Sequence, residues 1–149
     1  MNAAFFDSNV LIYTLAEGDP RQGVATGLLA RGGVISVQVL NEFANVARRK
    51  LQLSWPEVDQ ALAALRAFCP PPLPLTAATH EAALALAARH GFAFYDALIV
   101  ASALEAGCPT LLSEDLQDGR CIEGRLTVHN PFRVCVRLAP LSAGSGPPA

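Results

Sequence analysis

The chain has 149 residues, 52% of them hydrophobic and 16% charged, with a net charge of −2. That length suits one domain whose core needs no disulfide, and that composition excludes a disordered chain. The slight acidity excludes a generic polyanion binder, and no apolar run reaches the roughly 20 residues a bilayer-spanning helix needs.

Ala3–Phe6 is a short apolar run that reads as a buried strand. It passes through Asp7-Ser8-Asn9 into a helix expected over Val10–Ala16. Pro20 opens a helix near Arg21–Ala30, closed by Gly32-Gly33. Val34–Ser36 reads as a second short strand. Val37–Leu51 is amphipathic, with Val39, Leu40, Phe43, Val46 and Ala47 on one face and Gln38, Asn41, Glu42, Asn45 and Arg49 on the other. Ser54-Trp55-Pro56-Glu57 is a capping box that opens a helix carrying Val58, Ala61, Leu62, Leu65 and Phe68 at helical spacing. The proline-rich Cys69–Pro74 ends it, and Leu73–Leu75 reads as a short edge strand. Thr76 begins a helix that Gly91 stops. Asp96–Ala106 is apolar nearly all round, which predicts a buried helix, capped by Gly107. Thr110–Leu112 is another strand, followed by Ser113-Glu114-Asp115, and Leu126–Val128 is the last.

Short apolar strands alternating with helices predict an α/β fold with a mostly parallel sheet covered on both faces. The expected organisation is one domain over residues 1–137 and a disordered Ser-, Gly- and Pro-rich tail over 138–149. The N-terminus shows no basic region or cleavage-like site, so a cytoplasmic location is the default expectation. Cys69, Cys108, Cys121 and Cys135 form no CxxC pair and no zinc-ribbon spacing, and read as reduced thiols without a role.

Four acids stand out by position. Asp7 and Asp115 follow predicted strands, where open α/β sheets bind ligands. Asp96 lies in the first turn of the most apolar helix. Glu42 lies about one and a half turns into the helix after the second strand, near enough to reach back over the same edge. Each has an innocent reading alone. Asp7, Ser8 or Asp96 could cap a helix, Glu42 could be solvated, and Asp115 could shape a turn. Together they are harder to dismiss, because two carboxylates about 5 Å apart repel by roughly 3 kcal/mol at an effective dielectric of 20. Four in one pocket call for a cation, and hard oxygen donors suit Mg²⁺ or Mn²⁺.

Basic residues gather elsewhere. Arg48, Arg49 and Lys50 form one cluster, and Arg120, Arg125, Arg133 and Arg137 face only Glu123 between residues 119 and 137. Acids flanked by basic rims would suit an enzyme of nucleic acids, although the same arginines could be plain surface or meet a protein partner.

Four segments, in this order, resemble the PIN-domain family and within it the VapC-type ribonuclease toxins of bacterial type II toxin–antitoxin systems. They are FFDSNVLIY (Phe5–Tyr13), SVQVLNEFANVARRK (Ser36–Lys50), FYDALIVASALEAGC (Phe94–Cys108) and LLSEDLQDG (Leu111–Gly119). The resemblance implies a PIN-like three-layer α/β/α sandwich with strand order 3-2-1-4-5. It also implies a divalent-metal-dependent endoribonuclease of a VapBC-type pair, cleaving phosphodiester bonds with a metal-activated water. Carried over, Asp7 and Asp96 would be the core ligands of Mg²⁺, with Mn²⁺ a substitute. Glu42 and Asp115 would complete the shell, and Ser8 and Ser113 would support it. Arg48, Arg49, Lys50 and Arg120 would contact RNA, and Asp118 would be a further acid or a loop residue. The implied partners are an RNA substrate, a cognate antitoxin and a second copy in a homodimer.

Rival readings lack their residues. A receiver domain wants paired acids after the first strand and a lysine after the last, whereas the only lysine is Lys50 in a helix. A haloacid-dehalogenase-like phosphatase wants Asp-x-Asp where this chain has Asp7-Ser8-Asn9. No Walker loop or GxGxxG is present. The remaining alternative is a PIN fold that binds RNA or protein without cutting.

Overall fold

The computed structural model describes residues 3–133, so the expected tail at 138–149 lies outside the described residues. Strand β1 (Ala4–Phe6) leads into α1 (Ser8–Ile12) and a 3₁₀ turn (Tyr13–Leu15). Helices α2 (Pro20–Ala30), α3 (Val37–Arg49), α4 (Trp55–Arg66), α5 (Ala77–His90) and α6 (Phe94–Glu105) follow, then β2 (Thr110–Leu112), β3 (Cys121–Ile122) and β4 (Leu126–His129). Among the described residues no single helix is long and apolar enough to cross a membrane.

The sheet runs β1-β2-β4-β3, parallel except for the β3–β4 hairpin. Consecutive strand residues face opposite sides, and Phe5, Phe6, Leu111 and Leu112 are all buried. Both faces of the sheet are therefore covered, as the α/β reading expected.

The strand order needs correcting in detail. The expected second and third strands supply only isolated parallel bridges, Phe5 to Val34 and Ser36 to Leu73. Ser36 already caps α3 by accepting from Val39 N, which leaves too few extended residues for a ladder. Leu73 sits between Pro72 and Pro74, and a proline has no N–H to donate. The bridges nevertheless lie on the free side of β1, so the progression 3-2-1-4-5 survives in outline. The hairpin strand β3 is an addition beyond it.

Helix α6 is the structural root of the molecule. Seven consecutive residues, Ala97 to Ala103, are buried. Its start differs from expectation, because the N-cap is Ala93, with no side-chain cap, and Asp96 lies inside the first turn. Asp96 is therefore not needed as a cap. The helix expected from Val10 begins earlier, at Ser8, because Asp7 caps it. The Ser54–Glu57 capping box is present as expected.

Candidate active site

Parallel register builds the centre of the site. Phe6 pairs with Leu112, so the next residues, Asp7 and Ser113, leave the sheet side by side at its carboxyl edge. Asp7 N donates to Leu112 O at 2.9 Å, and Ser113 N donates to His129 O at 3.0 Å. The Ser113 hydroxyl then donates to Asp7 Oδ2 at 2.8 Å. Ser8 N donates to Asp7 Oδ1 at 2.7 Å, and Asn9 Nδ2 donates to Asp7 Oδ2 at 3.3 Å. Asp7 is 2% exposed, so these donors hold a carboxylate that bulk water barely reaches.

Glu42 comes to the same place from α3. Gln38, one turn earlier, donates to Glu42 Oε2 at 3.2 Å. The Ser8 hydroxyl lies 3.4 Å from Glu42 Oε1 and 3.5 Å from Asp7 Oδ1, so one proton serves two acids. Asp96 projects from the first turn of α6 and is partly buried. Asp115 is exposed on the loop two residues beyond Ser113.

Electrostatics ties the four together. Burial pushes Asp7 up to about 7; the Ser113 and Ser8 hydrogen bonds oppose this, and the charges of Glu42 and Asp96 add to it. Glu42 is also raised, first by burial and then by Asp96 and Asp115, against hydrogen bonds from Gln38 and Ser8. Burial raises Asp96, and the charge of Asp115 adds to it. Among the described residues no arginine, lysine or histidine forms an ion pair with any of the four. As the side chains stand, no three His, Cys, Asp or Glu groups among those residues are gathered tightly enough to enclose an ion. The acids sense one another through charge rather than through a shared coordination point. Carboxylates without a counter-charge stand apart by repulsion.

Beside the acids lies a cleft of about 370 Å³, walled by Ile12, Tyr13, Phe43 and Val46, with Glu42, Glu114, Asp115 and Lys50 at its polar side. Arg49 and Lys50 are exposed at the end of α3. Arg48 and Arg120, the other two residues expected to contact RNA, are engaged. Arg48 donates to Leu53 O at 2.9 Å and stacks on Trp55. Arg120 donates to His90 O at 3.1 Å and stacks on Phe92. Asp118 accepts from Asn130 N and Arg133, which makes it a loop residue.

Sequence reading passed over Asn9 and Gln38. Asn9 was visible as the third residue of Asp7-Ser8-Asn9, and Gln38 as the residue four before Glu42, a spacing that brings helical side chains together.

The chain matches the PIN domain family over residues 4–117. It belongs to that family. Three solved structures share its fold. Mycobacterium tuberculosis VapC20, a sarcin–ricin loop cleaving toxin, is 24% identical with a TM-score of 0.64, over 76% of this chain and 90% of that one. A toxin–antitoxin complex from Klebsiella pneumoniae is 23% identical with a TM-score of 0.64, over 87% and 98%. VapBC2 from Rickettsia felis, bound to a DNA fragment from its promoter, is 18% identical with a TM-score of 0.59, over 85% and 97%. Comparison with curated proteins gave no match.

Proposed function

We propose that this chain is a divalent-metal-dependent endoribonuclease, the toxin of a VapBC-type pair. The observation that supports the reading is that Asp7, Glu42 and Asp96 all have raised proton affinity, from burial first and then from the charges of neighbouring acids, Asp115 among them, with no basic partner among the described residues. The donor set fits a hard cation, since all four offer oxygen and none offers sulfur or nitrogen. Mg²⁺ is the expected ion and Mn²⁺ its substitute.

Asp7 and Asp96 would hold the ion, with Glu42 and Asp115 completing the shell or acting through water. When bound, a divalent ion makes water a better nucleophile and neutralises charge at the phosphodiester. Ser113, Ser8 and Asn9 fix the Asp7 oxygens before substrate arrives, so little reorganisation remains at the moment of reaction. The oxygen of water would form a new bond to phosphorus as the bond from phosphorus to the leaving ribose oxygen breaks and that oxygen takes up a proton, with no covalent enzyme intermediate. Arg49 and Lys50 lie where an RNA backbone could be steered towards the acids. The fold likeness to toxin–antitoxin complexes supports a cognate antitoxin as partner, and the resemblance to the VapC-type toxins suggests a homodimer.

Cleavage of a mixed RNA pool in Mg²⁺ or Mn²⁺ tests the reading. Asp7→Asn should lower the rate by about 100-fold or more, and chelation should abolish it. Equal cleavage by wild type and variant would mark the activity as a contaminant and leave the binding-module alternative standing.

A further inference from the structure

The Tyr13 hydroxyl donates to Glu114 Oε1 at 2.8 Å and accepts from Arg21 Nη1 at 3.0 Å. Arg21 is clamped by Asp19, the N-cap of α2, with Nε to Oδ1 at 2.9 Å and Nη2 to Oδ2 at 2.8 Å. The Tyr13 ring packs edge-on against Phe132 at 4.8 Å. A chain of four side chains, Asp19, Arg21, Tyr13 and Glu114, thus runs from the start of α2 to the loop after β2.

That loop is held from a second side. Glu114 N donates to Asn9 Oδ1 at 3.0 Å, and Leu116 N to the Ser113 hydroxyl at 3.4 Å. Asp115 is exposed between Glu114 and Leu116, so the bonds of its neighbours set its place. Glu114 depends on Tyr13 in turn. Its other oxygen, Oε2, is buried with no hydrogen-bond donor among the described residues, and Arg21 Nη1 is 3.8 Å away. Among the described residues the phenol is the only hydrogen-bond donor to this carboxylate, so its loss would leave both oxygens without one, a state costly enough that the loop would shift to relieve it.

We propose that Tyr13 is a positioning residue: through Glu114 it holds the loop that presents Asp115 to Glu42 and Asp96. This rests on the reading of the four acids as a metal site, and it adds residues outside the acidic quartet to the machinery. The role is geometric. A phenol anchored on an aromatic ring offers a rigid donor, and groups that orient a metal's ligands matter nearly as much as the ligands.

The test is Mn²⁺ affinity, read from the paramagnetic resonance of free Mn²⁺ titrated with the full chain. Tyr13→Phe should weaken binding about tenfold with an unchanged circular-dichroism spectrum, and Glu114→Ala should match it. Glu114→Gln keeps an acceptor for the phenol and should stay within about twofold of wild type. In an Asp115→Asn background, adding Tyr13→Phe should change nothing further. Three results would overturn the proposal: undiminished affinity in Tyr13→Phe, an equal loss with and without Asp115, or Glu114→Gln falling as far as Glu114→Ala. Wild type that binds no Mn²⁺ at millimolar concentration defeats the metal reading itself, a failure seen before any variant is compared.

Discussion

Asp7 carries a charge where burial opposes it. Its pKa of about 7 in the folded chain lies well above the ordinary 3.8, with burial as the main cause. The folded state therefore holds the proton more tightly than the unfolded state. The stability this contributes is complete below about pH 4 and is lost as pH rises through 7. In metal-free buffer, wild type should lose stability between pH 5 and pH 8, and Asp7→Asn should remove about 2–3 kcal/mol of that change. Denaturant titrations at the two pH values measure it, and identical slopes in the two proteins would refute the assignment. Glu42 and Asp96 are raised in the same direction and remain in both proteins, so the difference reports Asp7 together with its charge coupling to them. At this scale the sequence was informative about charge and poor about neutral partners. Asp7 and Asp115 could be placed at strand ends, whereas Tyr13 sits in an apolar run, where an aromatic ring looks like core packing.

Elements were legible where periodicity ran long. Helices α3, α4 and α6 were visible because their apolar spacing extends over three turns or more. The short strands were harder, because two or three extended residues carry almost no pattern. The β3–β4 hairpin shows why. Its turn is Glu123-Gly124, both at positive φ, with Arg125 N donating to Ile122 O. Asparagine or aspartate before glycine is the usual signal for such a turn, and glutamate is not. Gly32-Gly33 was read only as a helix stop. Gly32 does adopt a φ of +80°, but Gly33 has a different task. A Cβ there would collide with the Phe6 ring and come within 2.9 Å of the Ala4 carbonyl oxygen, so its absence lets the chain lie against β1. Because Phe6 is only 1% exposed, its ring has little room to yield. Gly33→Ala should cost about 1–3 kcal/mol, seen as a lower thermal midpoint, and an unchanged midpoint would show the ring to be freer than its burial implies.

Taken whole, the molecule pairs an acidic edge with a modest basic lip. If RNA crosses that lip, Arg49→Ala and Lys50→Ala should each weaken binding and lower the slope of log affinity against log salt by about 1. Arg120→Ala serves as the comparison, since its guanidinium already bonds His90 and covers Phe92. Unaltered slopes for Arg49 and Lys50 would put the nucleic acid on another face. The fold class was legible at this scale because alternation of strand and helix survives errors in any one element. The basic rim was less so, since whether an arginine is free or stacked depends on neighbours that spacing does not reveal.

Ser113 meets Asp7 across a separation of 106 positions, and the strand that pairs with β1 along its whole length is β2. During translation, three of the acids emerge from the ribosome well before the strand that aligns the first of them. A chain ending before Thr110 would lack both the parallel strand beside β1 and the Ser113 hydroxyl that bonds Asp7.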